Sequence, residues 1–193
     1  MKKFFYLLVL LASFTARADS FDDFFRAVRA DNASGVQSLL NRGFDPNTRD
    51  ANGLTGLLIA IREPSPKVIE VLLASPKTDV ESRNASDESP LMLAAIKGNI
   101  EAVKALIARD ADINKPGWTA LHYAASGTTP LMMAAMYGSL ESVKLLLDEG
   151  ADPLMKNQQG MTATQFAQRA QRQEAADLLA AAVRSKQPNA GKW

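Results

Sequence analysis

A single imidazole, His122, and no thiol are all that this chain offers to soft-metal or nucleophilic chemistry. The absence of Cys excludes a disulfide framework, thiolate zinc, iron–sulfur clusters and a Cys nucleophile. One His excludes His-rich metal sites and leaves Ser–His chemistry without support. The carboxylates occur as sequence neighbours, Asp22-Asp23 and Asp87-Glu88. A hydrolytic acid–base dyad needs two carboxyl groups facing each other roughly 5–9 Å apart across a substrate. Adjacent acids instead read as solvated turn or cap charges. No G-x-x-x-x-G-K-[ST], G-x-G-x-x-G or G-x-S-x-G motif occurs. The expectation is a protein without catalytic, metal or cofactor-binding residues, whose function lies in a surface.

The elements that carry such a surface follow from the pattern of apolar residues. At 193 residues and 47% apolar, the chain is long enough to bury a core and too apolar to be disordered. Its first eighteen residues stand apart. Lys2 and Lys3 are followed by an unbroken apolar run, Phe4 to Ala12, and then by Ala16-Arg17-Ala18. This is the layout of a secretory signal peptide cleaved between Ala18 and Asp19. The run is too short to span a hydrocarbon core of roughly 30 Å. A short Lys-Lys start suggests a bacterial exported protein, periplasmic or secreted, with no stable membrane insertion after cleavage. Removing Lys2, Lys3 and Arg17 leaves 19 basic against 21 acidic residues, a net charge of −2. A slightly acidic protein lacks the electrostatic footprint of a nucleic-acid binder. A chain without Cys suits an oxidising compartment.

The rest of the chain repeats itself. One element reads Val36-x-x-Leu39-Leu40, Ile69-x-x-Leu72-Leu73, Val103-x-x-Leu106-Ile107 and Val143-x-x-Leu146-Leu147, with a weaker copy at Ala175-x-x-Leu178-Leu179. An Asp follows each of the first four in a turn: Asp45, Asp79, Asp112 and Asp152. A second element reads Ser89-Pro90-Leu91-Met92-x-Ala94-Ala95, Thr119-Ala120-Leu121-His122-x-Ala124-Ala125 and Thr129-Pro130-Leu131-Met132-x-Ala134-Ala135, with degenerate copies from Thr55 and Thr162. A period near 33 residues of this kind signals a solenoid.

These motifs resemble the ankyrin repeat family, most closely over Thr129 to Asp152. The resemblance implies an all-α solenoid of stacked helix-turn-helix units joined by short hairpins. Residues 19–184 would form the array, with approximate repeats 19–49 (cap), 50–84, 85–116, 117–127 (truncated), 128–160 and 161–184 (cap), and 185–193 would be a flexible tail. The residue types agree physically. Thr or Ser before Pro-Leu is a helix N-cap with Pro at the first helical position. The Ala pair keeps the inner helix thin enough for close stacking. Val-x-x-Leu-Leu sets an apolar stripe on the outer helix. Gly43, Gly98, Gly138 and Gly150 sit where the chain reverses after a helix, which favours a positive φ. One repeat cannot bury its apolar face alone, so its neighbours must. His122 occupies the family's His slot, a structural position.

One stretch departs from the pattern. Thr119 and Thr129 are only ten residues apart, and the outer helix and hairpin expected between them are missing. The stretch reads as a relic repeat, as the scar of a deletion from a fuller parent, or as a plain loop. A stack with an uncovered inner helix is expected to be distorted there.

Carrying the family register over places Ile59, Arg62, Leu93, Ile96, Lys97, Tyr123, Met133, Met136 and Tyr137 on the concave face, with Trp118 at a hairpin tip. Aromatic, Met and Arg side chains are enriched in interface cores. Leu93 and Met133 equally suit packing against the next inner helix. The candidate partner-binding residues are therefore Trp118, Tyr123, Met133, Met136, Tyr137, Ile96, Lys97 and Arg62, in a monomer that binds a protein. Three roles fit: a non-catalytic periplasmic interaction module, an immunity or inhibitor protein against a toxin acting in the periplasm, or an accessory factor for a periplasmic enzyme such as catalase.

Overall fold

The structure, a computed structural model, describes residues 19–117 and 127–186. The chain divides into two compact units between Thr78 and Asp79. Among the described residues both units are helical; the extended pairings are isolated bridges at hairpins, Arg49 with Thr55 and Gly117 with Thr128.

The first unit contains α1 (residues 19–29), α2 (Ala33–Asn41), α3 (Gly56–Arg62) and α4 (Pro66–Ala74). Asn32 and Thr55 cap α2 and α3 by accepting the amides of Gly35 and Leu58 at 3.0 and 3.4 Å. Each cap satisfies one of the amide groups that a helix N-terminus leaves without an internal partner. The core is aromatic at one end: Phe24 is fully buried, stacks on Phe44 at 4.5 Å and meets Phe25 edge-on. Gly56 opens α3 because a Cβ there would lie 2.8 Å from the Phe24 ring. The hairpin between α2 and α3 closes through the Asp50 amide to the Leu54 carbonyl, at 2.9 Å. The Asp50 carboxylate accepts the amides of Asn52 and Leu54 and is paired with Arg29 at 2.9 Å. Burial alone would raise the Asp50 carboxyl. The amide hydrogen bonds and the Arg29 charge oppose this and leave it below the ordinary carboxylate value.

The second unit contains α5 (Pro90–Lys97), α6 (Ile100–Ile107), α7 (Pro130–Tyr137), α8 (Leu140–Asp148), α9 (Ala163–Arg169) and α10 (Gln173–Lys186). The first helix of each pair forms one layer, α5 against α7 and α7 against α9; the second helices α6, α8 and α10 form the other. Ser89 and Thr129 accept the amides of Met92 and Met132, and Thr162 forms a capping box with Gln165. The paired alanines Ala94-Ala95 and Ala134-Ala135 are wholly buried. So are Val103, Leu106, Val143 and Leu146, which close the outer helices onto the inner ones.

The turn aspartates behave alike in both units. Asp45, Asp79, Asp112 and Asp152 each accept the amide two residues on, at 2.8–3.1 Å. Among the glycines expected to reverse the chain, Gly43, Gly98 and Gly150 have positive φ, but Gly138 does not, at −78°. Gly138 is required for another reason: a Cβ would overlap the Ala95 carbonyl oxygen, so its lack of a side chain lets α7 approach α5. The α7 carbonyls of Ala134 and Ala135 instead accept from Arg172, both at 2.8 Å.

The short repeat itself, residues 118–126, lies outside the described residues, and the described structure is that on either side of it. α5 and α7 pack directly on each other. The Gly117 amide donates to Thr128, and the Gly127 amide to Gly117, at 2.8 and 3.0 Å. The same two bonds close the other hairpins: Asp50 to Leu54 with Gly53 to Asp50, Asn84 to Glu88 with Asp87 to Asn84, and Asn157 to Met161 with Gly160 to Asn157. Nine residues of sequence, 118–126, separate the two glycines of this pair where two separate the bonded residues of the other hairpins, and these nine lie outside the described residues.

Candidate interaction face

The accessible part of the α5–α7–α9 layer is small and lies at the helix ends. Counting from each N-cap, the fourth residue onward is Ile59, Leu93 and Met133, and all three are buried. Covered side chains offer a partner no surface, which corrects Met133 as a binding residue and Ile59 and Leu93 as surface. The seventh and eighth residues emerge. Ile96 and Met136 are half-buried, and Lys97 is exposed. Tyr137 is 51% exposed, the one exposed large hydrophobic side chain among the described residues. In the first unit, Arg62 holds the seventh position, exposed and paired with Glu63 at 3.6 Å. Trp118, Tyr123 and His122 lie outside the described residues, as do Ala18 and Trp193. Asp19 is exposed at the start of the described α1 residues.

The same count applied to the degenerate copy from Thr162 gives Arg169, which is exposed. Sequence reasoning passed over it because Thr162-Ala-Thr-Gln lacks the Pro-Leu that marks the other copies. Its cap position was nevertheless in the sequence and would have sufficed.

One acid of each adjacent pair has a local partner. Asp23 pairs with Arg26 at 3.0 Å on the surface, and Glu88 accepts from the Asn84 side chain at 2.7 Å. No cluster of metal-ligating side chains occurs among the described residues. Clefts of about 250 and 270 Å³ lie beside Arg172–Ala175 and between α2 and α4. Both fall below the usual range of small-molecule sites. No described helix is long and apolar enough to cross a membrane.

The family described as "Ankyrin repeats (3 copies)" matches residues 24–116 and 125–190. The chain belongs to the ankyrin repeat family. It is 33% identical over 149 residues to the mitochondrial disaggregase of Bos taurus, covering 73% of this chain and 20% of that protein. It is 34% identical over 92 residues to glycerophosphocholine phosphodiesterase gde1 of Schizosaccharomyces pombe, covering 46% and 8%. Over 86 residues it is 36% identical to the human neurogenic locus notch homolog protein 4, covering 45% and 4%. The chain spans a fifth or less of the length of these curated relatives. What it shares with them is the ankyrin array, a fold that is generally a non-catalytic protein-interaction module.

Proposed function

We propose that this ankyrin protein is a non-catalytic binding module of the bacterial periplasm, and that it takes its protein partner on the inner-helix ends of the second unit. One observation carries the reading. Tyr137 stands exposed beside half-buried Met136, with Ile96 and Lys97 at the matching end of the adjoining helix α5. A rigid aromatic side chain offers a large contact area and loses few rotamers on binding. Lys2-Lys3, the apolar Phe4–Ala12 and Ala16-Arg17-Ala18 support export. The test is capture of a partner from periplasmic extract by the protein purified from that compartment, beside its Tyr137→Ala variant. Mass spectrometry of the same sample is expected to find Asp19 at the N-terminus. A partner held equally by both variants overturns the assignment of the face, and a chain still beginning at Met1 overturns export.

A further inference from the structure

We infer that the inner-helix ends of the second unit recognise an acidic polypeptide segment, one that carries carboxylates next to an aliphatic or aromatic side chain. The inference rests on the binding face proposed above and adds the chemistry of its partner. Charge in this unit is sorted by layer. No Asp or Glu lies between Ser89 and Ile100, between Gly127 and Leu140, or between Gln158 and Gln173. Those three stretches hold the inner helices with their caps and the turns that leave them. The acids begin immediately afterwards, at Glu101, Glu141 and Glu174, on the outer helices.

The only charges in the inner layer are therefore positive: Lys97, Arg169 and Arg172. Arg172 is committed to the α7 carbonyls. Lys97 sits in the last turn of α5, where the helix terminus presents about half a negative charge. A full ammonium there leaves net positive charge. Arg169 ends α9 on the other side of α7. The exposed Tyr137 thus lies on the helix between two cation-bearing helix ends, with half-buried Ile96 and Met136 on the same row. The first unit shows the contrast: its residue at this position, Arg62, is already paired with Glu63. Two cations around an apolar centre suit a peptide better than a nucleic acid, which needs a row of phosphate contacts.

Three fluorescein-labelled peptides test this on the full mature protein. One is a short chain of Glu and Leu with a central Phe; the second replaces Glu by Gln; the third replaces it by Lys. A single-stranded oligodeoxynucleotide is the fourth probe. The Glu peptide should bind about tenfold tighter than the Gln peptide, an advantage equivalent to about 1.4 kcal/mol. That preference should disappear in Lys97→Glu/Arg169→Glu and weaken as salt rises. Both side chains are exposed, so thermal melts should match the parent; Lys97→Gln/Arg169→Gln serves should the reversal disturb folding. Equal binding of the Glu and Gln peptides, failure of every peptide to bind, or tighter binding of the oligonucleotide overturns the inference. A periplasmic partner lost with Tyr137→Ala yet kept by both charge variants would leave the binding face standing and remove only its acidic specificity.

Discussion

The two units solve the same packing problem and spend their surfaces differently. In the first, the aromatic side chains turn inward: Phe24 and Phe25 are buried, and Phe44 stacks on Phe24. Its inner-helix end is a neutralised pair, Arg62 with Glu63, and its hairpin acid Asp50 is paired with Arg29. In the second, the inner helices are thinned by alanines, the one exposed large hydrophobic side chain is Tyr137, and the inner layer carries cations without acids. A repeat array needs terminal units whose outer faces tolerate water. The first unit buries its rings and pairs its charges locally, whereas the second exposes Tyr137 beside the cations of its inner layer.

The largest expected effect tests the first half of that contrast. Phe24→Ala removes a fully buried ring that touches Phe44 and Gly56, and should cost about 3–5 kcal/mol of stability. Leu146→Ala in the second unit should cost about 2–5 kcal/mol. Chemical denaturation reads both. A loss below about 1 kcal/mol for Phe24→Ala would mean that the aromatic cluster is not the first unit's core.

Tyr137→Ala tests the second half. Its ring is half exposed, so stability should change by less than about 0.5 kcal/mol. Affinity for the partner should fall by about 2 kcal/mol, roughly thirtyfold. Titration calorimetry and thermal melts on the same preparation separate the two. An unchanged affinity would remove the difference in purpose between the units.

How much of this was legible in the sequence depends on what each residue reports. Ser89-Pro90 and Thr129-Pro130 announced their helices because caps and first-turn prolines act locally. The outer-helix Val and Leu positions followed from periodicity alone. The surface was harder. Leu93 and Met133 look the same in sequence as Ile96 and Met136; only the closeness of α5 to α7, set by Gly138 and the alanine pairs, decides which are covered. The short repeat is hard to read for a related reason. Thr119-Ala-Leu-His reads as a helix start, and the spacing from Thr119 to Thr129 suggests a missing repeat. The described residues on either side show that the Gly117 and Gly127 amides make the bonds found at the other hairpins and that α5 and α7 are neighbours.

The nine-residue spacing between Gly117 and Gly127 gives the next prediction. Replacing residues 118–126 by the two-residue Ala-Asn of positions 51–52 should leave the fold intact and raise stability by about 1 kcal/mol through the shorter closure. A loss of several kcal/mol would show that the segment supplies core to the second unit. Partner binding by this variant also measures directly what Trp118 and Tyr123 contribute, independently of Tyr137.

The smallest effect concerns Asp50, and its sign comes from proton linkage. Amide bonds and Arg29 hold the folded carboxyl below its ordinary value despite burial. The ionised form is therefore favoured by folding, and its contribution is fully present above the unfolded pKa of about 4. It is lost as pH falls from there through the lower folded value. Asp50→Asn should accordingly cost little at neutral pH, about 0.5 kcal/mol, for two reasons. Asn84 and Asn157 hold the corresponding hairpins of the second unit with a neutral side chain that accepts the same pair of amides. The Arg29 partner is 42% exposed, so solvent screens much of the ion pair. Denaturation midpoints of the parent and Asp50→Asn should differ at pH 7 and converge toward pH 3. Curves that stay parallel over that range would mean that the Asp50 charge contributes nothing, and that the hairpins of the two units are held in the same way after all.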